Sequence, residues 1–152
     1  MSVRSAAKAI IIEDDHVLLI RYRDERGVYY GLPGGGQDRH EALSETVVRE
    51  CLEEINCRVI PQELLFVREF IGPRHAKLAR HSDFHQVDHY FRCRLAPDSR
   101  PENGPGADVA QEGVAWLPLA QLHEYHITPA AIRPWLQRID APERPVYLGP
   151  VD

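Results

Sequence analysis

The stretch from Gly35 to Cys57 constrains the fold of this chain most, because it places a glycine turn directly before an acidic, amphipathic helix. If the helix starts near Glu41, then Glu50, Glu53 and Glu54 stand at positions i, i+3 and i+4 and project side by side. Like charges at this spacing destabilise a helix by roughly 0.2–0.5 kcal/mol per pair. A cation, a basic partner or open water must therefore relieve their repulsion.

The residues before this helix sharpen the prediction. Glycines between Leu32 and Gly36 let the main chain turn tightly and let other groups approach the backbone. Carbonyls of such a loop can complete a metal shell, while its N–H groups can meet phosphate oxygens. Oxygen ligands without thiolate or imidazole suit Mg²⁺ or Mn²⁺, so the spacing predicts a site for one of these ions. Its candidate ligands are Glu50, Glu53, Glu54 and a carbonyl of Gly34 or Gly35.

One side of the predicted helix is apolar and is expected to pack on a sheet. Its residues are Leu43, Val47, Cys51 and Ile55, with Val48 alongside. The three glutamates lie on the adjoining arc, at the edge of the core. Arg49 precedes Glu53 by four residues, so we expect the two to pair and Glu53 to stay ionised. Glu41 lies on the far side, and we interpret it as a first-turn residue favoured by the helix dipole, without a direct metal role.

The string LPGGGQDRHEALSETVVRECLEEINC resembles the signature of the Nudix hydrolases, G-x5-E-x7-R-E-U-x-E-E-x-G-U, in which U is aliphatic. Asn56 stands at the last glycine position, and Cys51 and Cys57 stand at aliphatic ones. Asparagine tolerates the left-handed conformation that ends a helix, and buried cysteine behaves as a small hydrophobe. His40 replaces a glycine that many members carry. These departures leave every carboxylate of the signature in place.

The resemblance implies an α/β fold, a Nudix-like α/β/α sandwich with a mixed β-sheet. We expect a single domain over residues 1–152, with a proline-rich tail from about residue 141. The implied function is hydrolysis of a phosphoanhydride bond, with Mg²⁺ or Mn²⁺, in a nucleoside diphosphate linked to another moiety. ADP-ribose, nucleotide sugars, dinucleoside polyphosphates and nucleoside triphosphates all remain open as substrates. The main alternative is a non-catalytic Nudix-like module that binds a nucleotide or regulatory ligand; isomerase chemistry on an isoprenoid diphosphate is a lesser one.

Within this reading, Glu50 and Glu54 are expected to hold the metal. Glu53, oriented by Arg49, either joins them or takes the proton of the attacking water. The predicted catalytic residues are Glu53, Arg49 and Glu50. Glu112 precedes a predicted strand, at a place where many Nudix proteins carry a further acidic ligand on a loop; an exposed loop carboxylate is the equal alternative.

Basic residues near the expected site are candidates for phosphate binding. Arg23 lies close to the glycine loop in sequence, and Arg74 lies in a basic segment between two predicted strands. Lys77 and Arg80 belong to the same segment, which would be either a lid that meets phosphates or a solvated loop. We select Arg23 and Arg74 as candidate substrate-binding residues.

Composition agrees with a small enzyme and excludes several classes. The 152 residues are 43% hydrophobic, which is enough for a sizeable core. A net charge of −5 disfavours extended nucleic acid as a partner, so a small nucleotide derivative is the expected one. Without a signal peptide or an apolar run long enough to cross a membrane, the chain is expected to be cytoplasmic, not membrane-bound. Three cysteines indicate reduced, buried thiols, and a homodimer is the default assembly.

Hydrophobic alternation and turn residues predict the remaining elements. Pro61 is expected to break or bulge the strand run after the helix, and Pro129 is expected to start a final helix. The predicted strands are Ala6 to Ile12, Val17 to Tyr22, Val28 to Leu32, Arg58 to Ile60, Leu64 to Ile71, Gln86 to Leu95 and Val114 to Leu117. The segment from Ala96 to Asp108 is predicted to be a surface loop.

Overall fold

The computed structural model describes residues 2–75 and 83–152. Its strands are β1 Arg4–Glu13, β2 His16–Asp24, β3 Gly27–Gly31, β4 Gly34–Gly36, β5 Val59–Ile71, β6 His85–Leu95, β7 Gln111–Pro118, β8 Ile127–Thr128 and β9 Tyr147–Pro150. Its α-helices are α1 Leu43–Ile55, α2 Gly72–His75 and α3 Arg133–Leu136. Short 3-10 helices cover Leu119–Glu124 and Ala130–Ile132.

The strands of the described residues join in one mixed sheet with the order β8-β3-β2-β1-β6-β5-β9. Strand β4 adds to β1, and β7 adds to β2. The pairs β1–β6, β3–β8 and β5–β9 are parallel, whereas β1–β2, β1–β4, β2–β3, β2–β7 and β5–β6 are antiparallel. Strand β1 lies in the middle of this order, so the glycine strand β4 is attached to the centre of the molecule.

Alternation along the central strands divides the core into two layers. In β1, Ala7, Ala9 and Ile11 face one layer, and Ile10 faces the other. The first layer contains the apolar side of α1, including Val47, and the second contains the 3-10 helices and α3. Helices therefore cover both faces of the sheet, and the predicted α/β fold with a mixed sheet is confirmed.

The cysteines lie in the layer beneath α1. Cys51, Cys57 and Cys93 are buried and are not joined in a disulfide. Burial raises the pKa of the Cys93 thiol to about 12. These three side chains therefore act as small apolar groups, as the sequence predicted.

Several element bounds differ from the prediction. Helix α1 starts at Leu43, so Glu41 lies before the helix instead of in its first turn. The expected glycine loop forms strand β4, and the tail contains strand β9, which pairs with β5. Local patterns do not signal such short pairings, because each depends on a partner strand far away in sequence.

Two predicted features of the later chain have clear outcomes. Strand β5 continues through Pro61 with register shifts between Pro61 and Leu64 and between Leu64 and Phe66, so the predicted bulge is confirmed. The predicted final helix is shorter than expected, a 3-10 turn followed by the single turn α3. Among the described residues, no helix combines the length and apolar character that crossing a membrane requires.

Candidate active site

A cleft of about 750 Å³ opens beside β4 and the carboxylate side of α1. Glu50 and Glu54 of α1 contribute carboxylates to it, and Lys8 of β1 contributes an ammonium group. Tyr22 and Tyr29, whose rings stack with centroids 5.1 Å apart, form part of the wall. The cleft thus combines acidic, basic and aromatic groups around a glycine strand.

The glycines of β4 bring this acidic helix against the sheet. Gly34 has φ +143°, and a Cβ there would lie 2.1 Å from the Ala7 carbonyl oxygen. A Cβ at Gly35 would lie 2.5 Å from the Glu50 carboxylate. Both distances are too short for any side chain. Glycine at position 35 therefore makes the room that the Glu50 carboxylate occupies.

The Glu50 and Glu54 carboxylates lie within hydrogen-bonding range of one another. Burial raises the pKa of Glu54 most, the nearby Glu50 adds to the rise, and Lys8 and the Gly34 N–H oppose it; together they set the pKa at about 7. Two acidic groups in such contact are stable only if they share a proton or neutralise a cation. This pair therefore fits a divalent cation, which would replace the proton.

Glu53 is more exposed than Glu50, with which it shares Arg49. Its side chain is 45% exposed, and both carboxylate oxygens lie 3.4 Å from Nη1 of Arg49. Within residues 2–75 and 83–152, no three His, Cys, Asp or Glu side chains converge closely enough to hold a metal ion as they stand. The predicted trio is thus a close carboxylate pair with a third carboxylate beside it.

Arg49 has a stronger partner than the sequence indicated. Its Nε and Nη2 donate to the two Glu41 oxygens at 2.7 and 3.0 Å, and its Nη1 donates to Glu50 at 2.9 Å. Glu41 also accepts from the Thr46 hydroxyl at 2.7 Å. Hydrogen bonds from Arg49 lower the pKa of Glu41 to about 2. The expected pairing of Arg49 with Glu53 is present at 3.4 Å, but Glu41 lies closer, because it folds back from outside the helix to hold the guanidinium.

The far end of the cleft contains a buried ion pair that sequence reasoning did not identify. Arg68 donates through Nη1 to Asp88 at 2.9 Å, and these side chains are 8% and 3% exposed. Gln86 donates to Asp88 at 2.7 Å, and Arg68 Nε donates to the Val151 carbonyl at 2.8 Å. The pair links β5, β6 and the end of the chain. The local sequence does not predict this pair, because the alternation along each strand is compatible with Arg68 or Asp88 on either face.

Glu112 and the two candidate substrate-binding arginines lie outside this arrangement. Glu112 lies within β7, not before a strand, and accepts from Arg23 Nε at 2.6 Å, with Arg21 at 3.4 Å. Arg74 lies exposed in the short helix α2. Lys77 and Arg80 of the predicted basic segment lie outside the described residues. The structure therefore brings Glu50 and Glu54 together but pairs Glu112 with Arg23 elsewhere.

The comparison with protein families shows to which family the chain belongs. A family model described as the NUDIX domain matches residues 3–139. The chain belongs to the Nudix family. A comparison with curated proteins found no match.

Solved structures of Nudix proteins share the fold. A MutT NUDIX hydrolase from Burkholderia pseudomallei is 27% identical with a TM-score of 0.62, and the match covers 79% of this chain and 86% of that one. A NUDIX hydrolase from Nitrosomonas europaea is 22% identical with a TM-score of 0.72, covering 100% and 80%. An ADP-ribose pyrophosphatase from Streptococcus suis 89-1591 is 19% identical with a TM-score of 0.63, covering 99% and 100%. The family and the hydrolase from Burkholderia pseudomallei support the predicted enzyme class, a Nudix-type pyrophosphohydrolase acting on acid anhydrides.

The departures from the Nudix signature are accommodated locally. Asn56 caps α1 in the left-handed conformation, with φ 55° and ψ 32°, as expected for the residue that most often replaces glycine there. His40 has φ +68°, which is the region that favours glycine. Cys51 and Cys57 are buried in the layer beneath α1. Asn56 and His40 therefore adopt backbone conformations that glycine favours.

Proposed function

We propose that this Nudix enzyme is a Mg²⁺- or Mn²⁺-dependent hydrolase that cleaves a phosphoanhydride bond in a nucleoside diphosphate linked to another moiety. The observation that carries the proposal is the Glu50–Glu54 pair, partly buried against the glycine strand at the wall of a large cleft. A carboxylate pair in this position is costly to the folded protein without a cation. A binding module without chemistry has no need to keep it.

Glu50 and Glu54 are the residues that would hold the divalent ion. The ladder between β1 and β4 supports a contribution from the Gly34 carbonyl. Ala9 donates to the Pro33 carbonyl at 2.8 Å, so the alternation of an antiparallel pair directs the next carbonyl, that of Gly34, away from β1. A bound divalent ion would neutralise charge on the diphosphate and increase the acidity of a coordinated water.

Glu53 is the candidate general base. Its carboxylate is accessible to solvent and lies 3.4 Å from the guanidinium of Arg49, which holds it beside Glu50. Arg49 is itself fixed by Glu41 and by the Gly36 carbonyl, to which Nη2 donates at 2.9 Å. Arg49 therefore acts by orienting Glu53 and Glu50, both of which it contacts.

Cations on β1 are suited to the phosphates of the substrate. Arg4 and Lys8 both line the cleft, and a strand places residues four apart on the same face. Lys8 lies near Glu54, and Arg4 lies over the Phe84 ring at 5.8 Å. Glu112 can serve as a further metal ligand only if it leaves Arg23, so we assign it no role in binding the first ion.

The experiment is a substrate panel with matched variants. The panel contains ADP-ribose, a UDP-linked sugar, a dinucleoside polyphosphate and a nucleoside triphosphate, each with Mg²⁺, with Mn²⁺ and with EDTA, and the products are separated by chromatography. Solved neighbours described as an ADP-ribose pyrophosphatase and a UDP-X diphosphatase support the first two choices. We expect hydrolysis only with a divalent ion.

Glu53→Gln tests the assignment of the base. We expect the kcat to fall by several orders of magnitude while the Tm changes little, because the side chain is half exposed. Glu13→Gln, at an exposed position of β1, is the control. Tight nucleotide binding by calorimetry without any hydrolysis would support the binding module and refute the enzyme.

A further inference from the structure

A loop far from the Nudix signature closes the end of α1. We propose that the segment from Glu102 to Gly106 is a positioning element for Glu53 and Glu54, with Gly104, Gly106 and Gln111 as its positioning residues. The inference rests on the proposed function, because it concerns the residues to which that function assigns the chemistry.

The main-chain N–H groups of this loop satisfy the last carbonyls of the helix. The final four carbonyls of an α-helix have no intrahelical partner. Here Glu102 donates to the Ile55 carbonyl at 3.1 Å, Gly104 to that of Glu54 at 2.9 Å, and Gly106 to that of Glu53 at 2.8 Å. The spacing is regular, one donor at every second loop residue. The loop therefore holds the backbone of Glu53 and Glu54 by hydrogen bonds.

Side chains strengthen the same contact. Gln111 Nε2 donates to the Glu54 carbonyl at 2.8 Å and to Asn103 Oδ1 at 2.8 Å, and Gln111 is only 7% exposed. Asn56 Nδ2 donates to the Glu102 carboxylate at 3.0 Å. A glycine at position 56 would fit the left-handed cap equally well but would lose this bond. The departure of this chain from the Nudix signature therefore ties the helix end to the loop.

The glycines of the loop are required by close approach rather than by backbone conformation. A Cβ at Gly104 would lie 2.2 Å from the Glu53 carbonyl oxygen, and one at Gly106 would lie 2.9 Å from the Glu53 Cβ. The loop thus contacts the stem of the Glu53 side chain as well as its backbone. Pro101 and Pro105 flank the donors and restrict the conformations of the loop. Gly106 also lines the cleft, so this contact lies at the site itself.

A double-mutant cycle of Gly106→Ala and Glu53→Gln tests the proposal. We expect Gly106→Ala to lower the kcat roughly 10- to 100-fold, as a shift of about 1 Å in a catalytic group does, with the KM within twofold. In the Glu53→Gln background the same substitution is expected to cost little, because the group that it displaces is already inactive. Val109→Ala, at a fully exposed position of the same loop, is the control.

Two further measurements complete the test. The first does not depend on turnover, and the second does not depend on whether the glycine variants fold. The Mn²⁺ dissociation constant, measured by electron paramagnetic resonance without substrate, is expected to rise at least severalfold in Gly104→Ala. Asn56→Gly and Gln111→Leu each remove hydrogen bonds without a steric clash, and severalfold losses of kcat are expected even if the glycine variants fail to fold.

The outcomes separate the two proposals. Equal losses from Gly106→Ala in both backgrounds, or no change of kcat and Mn²⁺ affinity in any of the variants, would overturn the positioning role while leaving the hydrolase intact. A wild-type protein that hydrolyses no panel compound would overturn the proposed function instead. In that case, fast hydrogen exchange of the Gly104 and Gly106 amides would also overturn the loop contact, and slow exchange would support it.

Discussion

Glu54→Gln is expected to make the metal-free protein more stable while making it inactive. Burial raises the pKa of Glu54 from its ordinary 4.5 to about 7. Between these values the folded chain keeps a proton that the unfolded chain releases, so the free energy of unfolding decreases as the pH rises through this window. Glutamine resembles the protonated acid and avoids this cost.

The magnitude follows from the two pKa values. Each tenfold change in proton affinity corresponds to about 1.4 kcal/mol, so the difference between 4.5 and about 7 gives an upper limit of about 3 kcal/mol above pH 7. For a chain of this size, 1 kcal/mol corresponds to roughly 2–4 °C in Tm. In EDTA at pH 8, the Tm of Glu54→Gln is expected to exceed that of the wild type by up to about 6–12 °C, and at pH 4.5 the two are expected to agree.

The assay is thermal unfolding followed by circular dichroism between pH 4.5 and 8.5, with EDTA and with Mn²⁺. Manganese is expected to raise the Tm of the wild type much more than that of the variant, since binding to the folded state alone stabilises it. Glu13→Gln, which changes an exposed carboxylate, is the control. A variant whose Tm in EDTA equals or falls below that of the wild type at pH 8 would refute the argument that the carboxylate pair is costly.

Three other substitutions test separate contacts. Gly35→Ala is expected to raise the Mn²⁺ dissociation constant at least tenfold by calorimetry, because the new Cβ would lie 2.5 Å from the Glu50 carboxylate. Glu41→Gln is expected to lower the kcat several-fold, since Arg49 loses its two-oxygen partner. In the wild type, the stability that this ion pair adds is lost as the pH falls from 4.5 towards 2. Acid unfolding of the variant is expected to lack that loss. Arg23→Ala is expected to leave the KM within twofold in steady-state kinetics, because its guanidinium is bound to a neighbouring strand; a rise of tenfold would restore it as a substrate contact.

Much of the fold was predictable because it follows from local periods. A period of 3.6 residues places Val47, Cys51 and Ile55 on one side of α1 and the glutamates beside them, whatever the helix packs against. A period of two places alternate residues of β1, and likewise of β2, on opposite faces of the sheet, which predicts a core layer on each face. The bulge near Pro61 was predictable as well, since proline cannot donate to a ladder.

The positions that sequence reasoning missed depend on distant partners. Glu41 and Arg49 are only eight residues apart, but Glu41 lies outside the helix, and their contact depends on the turn before it, where His40 has φ +68°. The pairing of Glu112 with Arg23 requires knowledge of which strand lies beside β2. Glycine and proline between Ala96 and Asp108 predicted a loop correctly, yet composition does not say what a loop contacts.

The sequence by itself determined that a glycine-rich turn precedes an acidic helix, and that the helix presents carboxylates at the edge of a core. These properties depend on side-chain spacing within one element, where backbone geometry leaves few choices. Only the tertiary structure decided that Glu50 and Glu54 form a close pair, that Glu41 folds back onto Arg49, and that residues 102–106 hold the end of the helix. Such contacts join residues from separate elements, and their geometry depends on how the whole sheet brings those elements together.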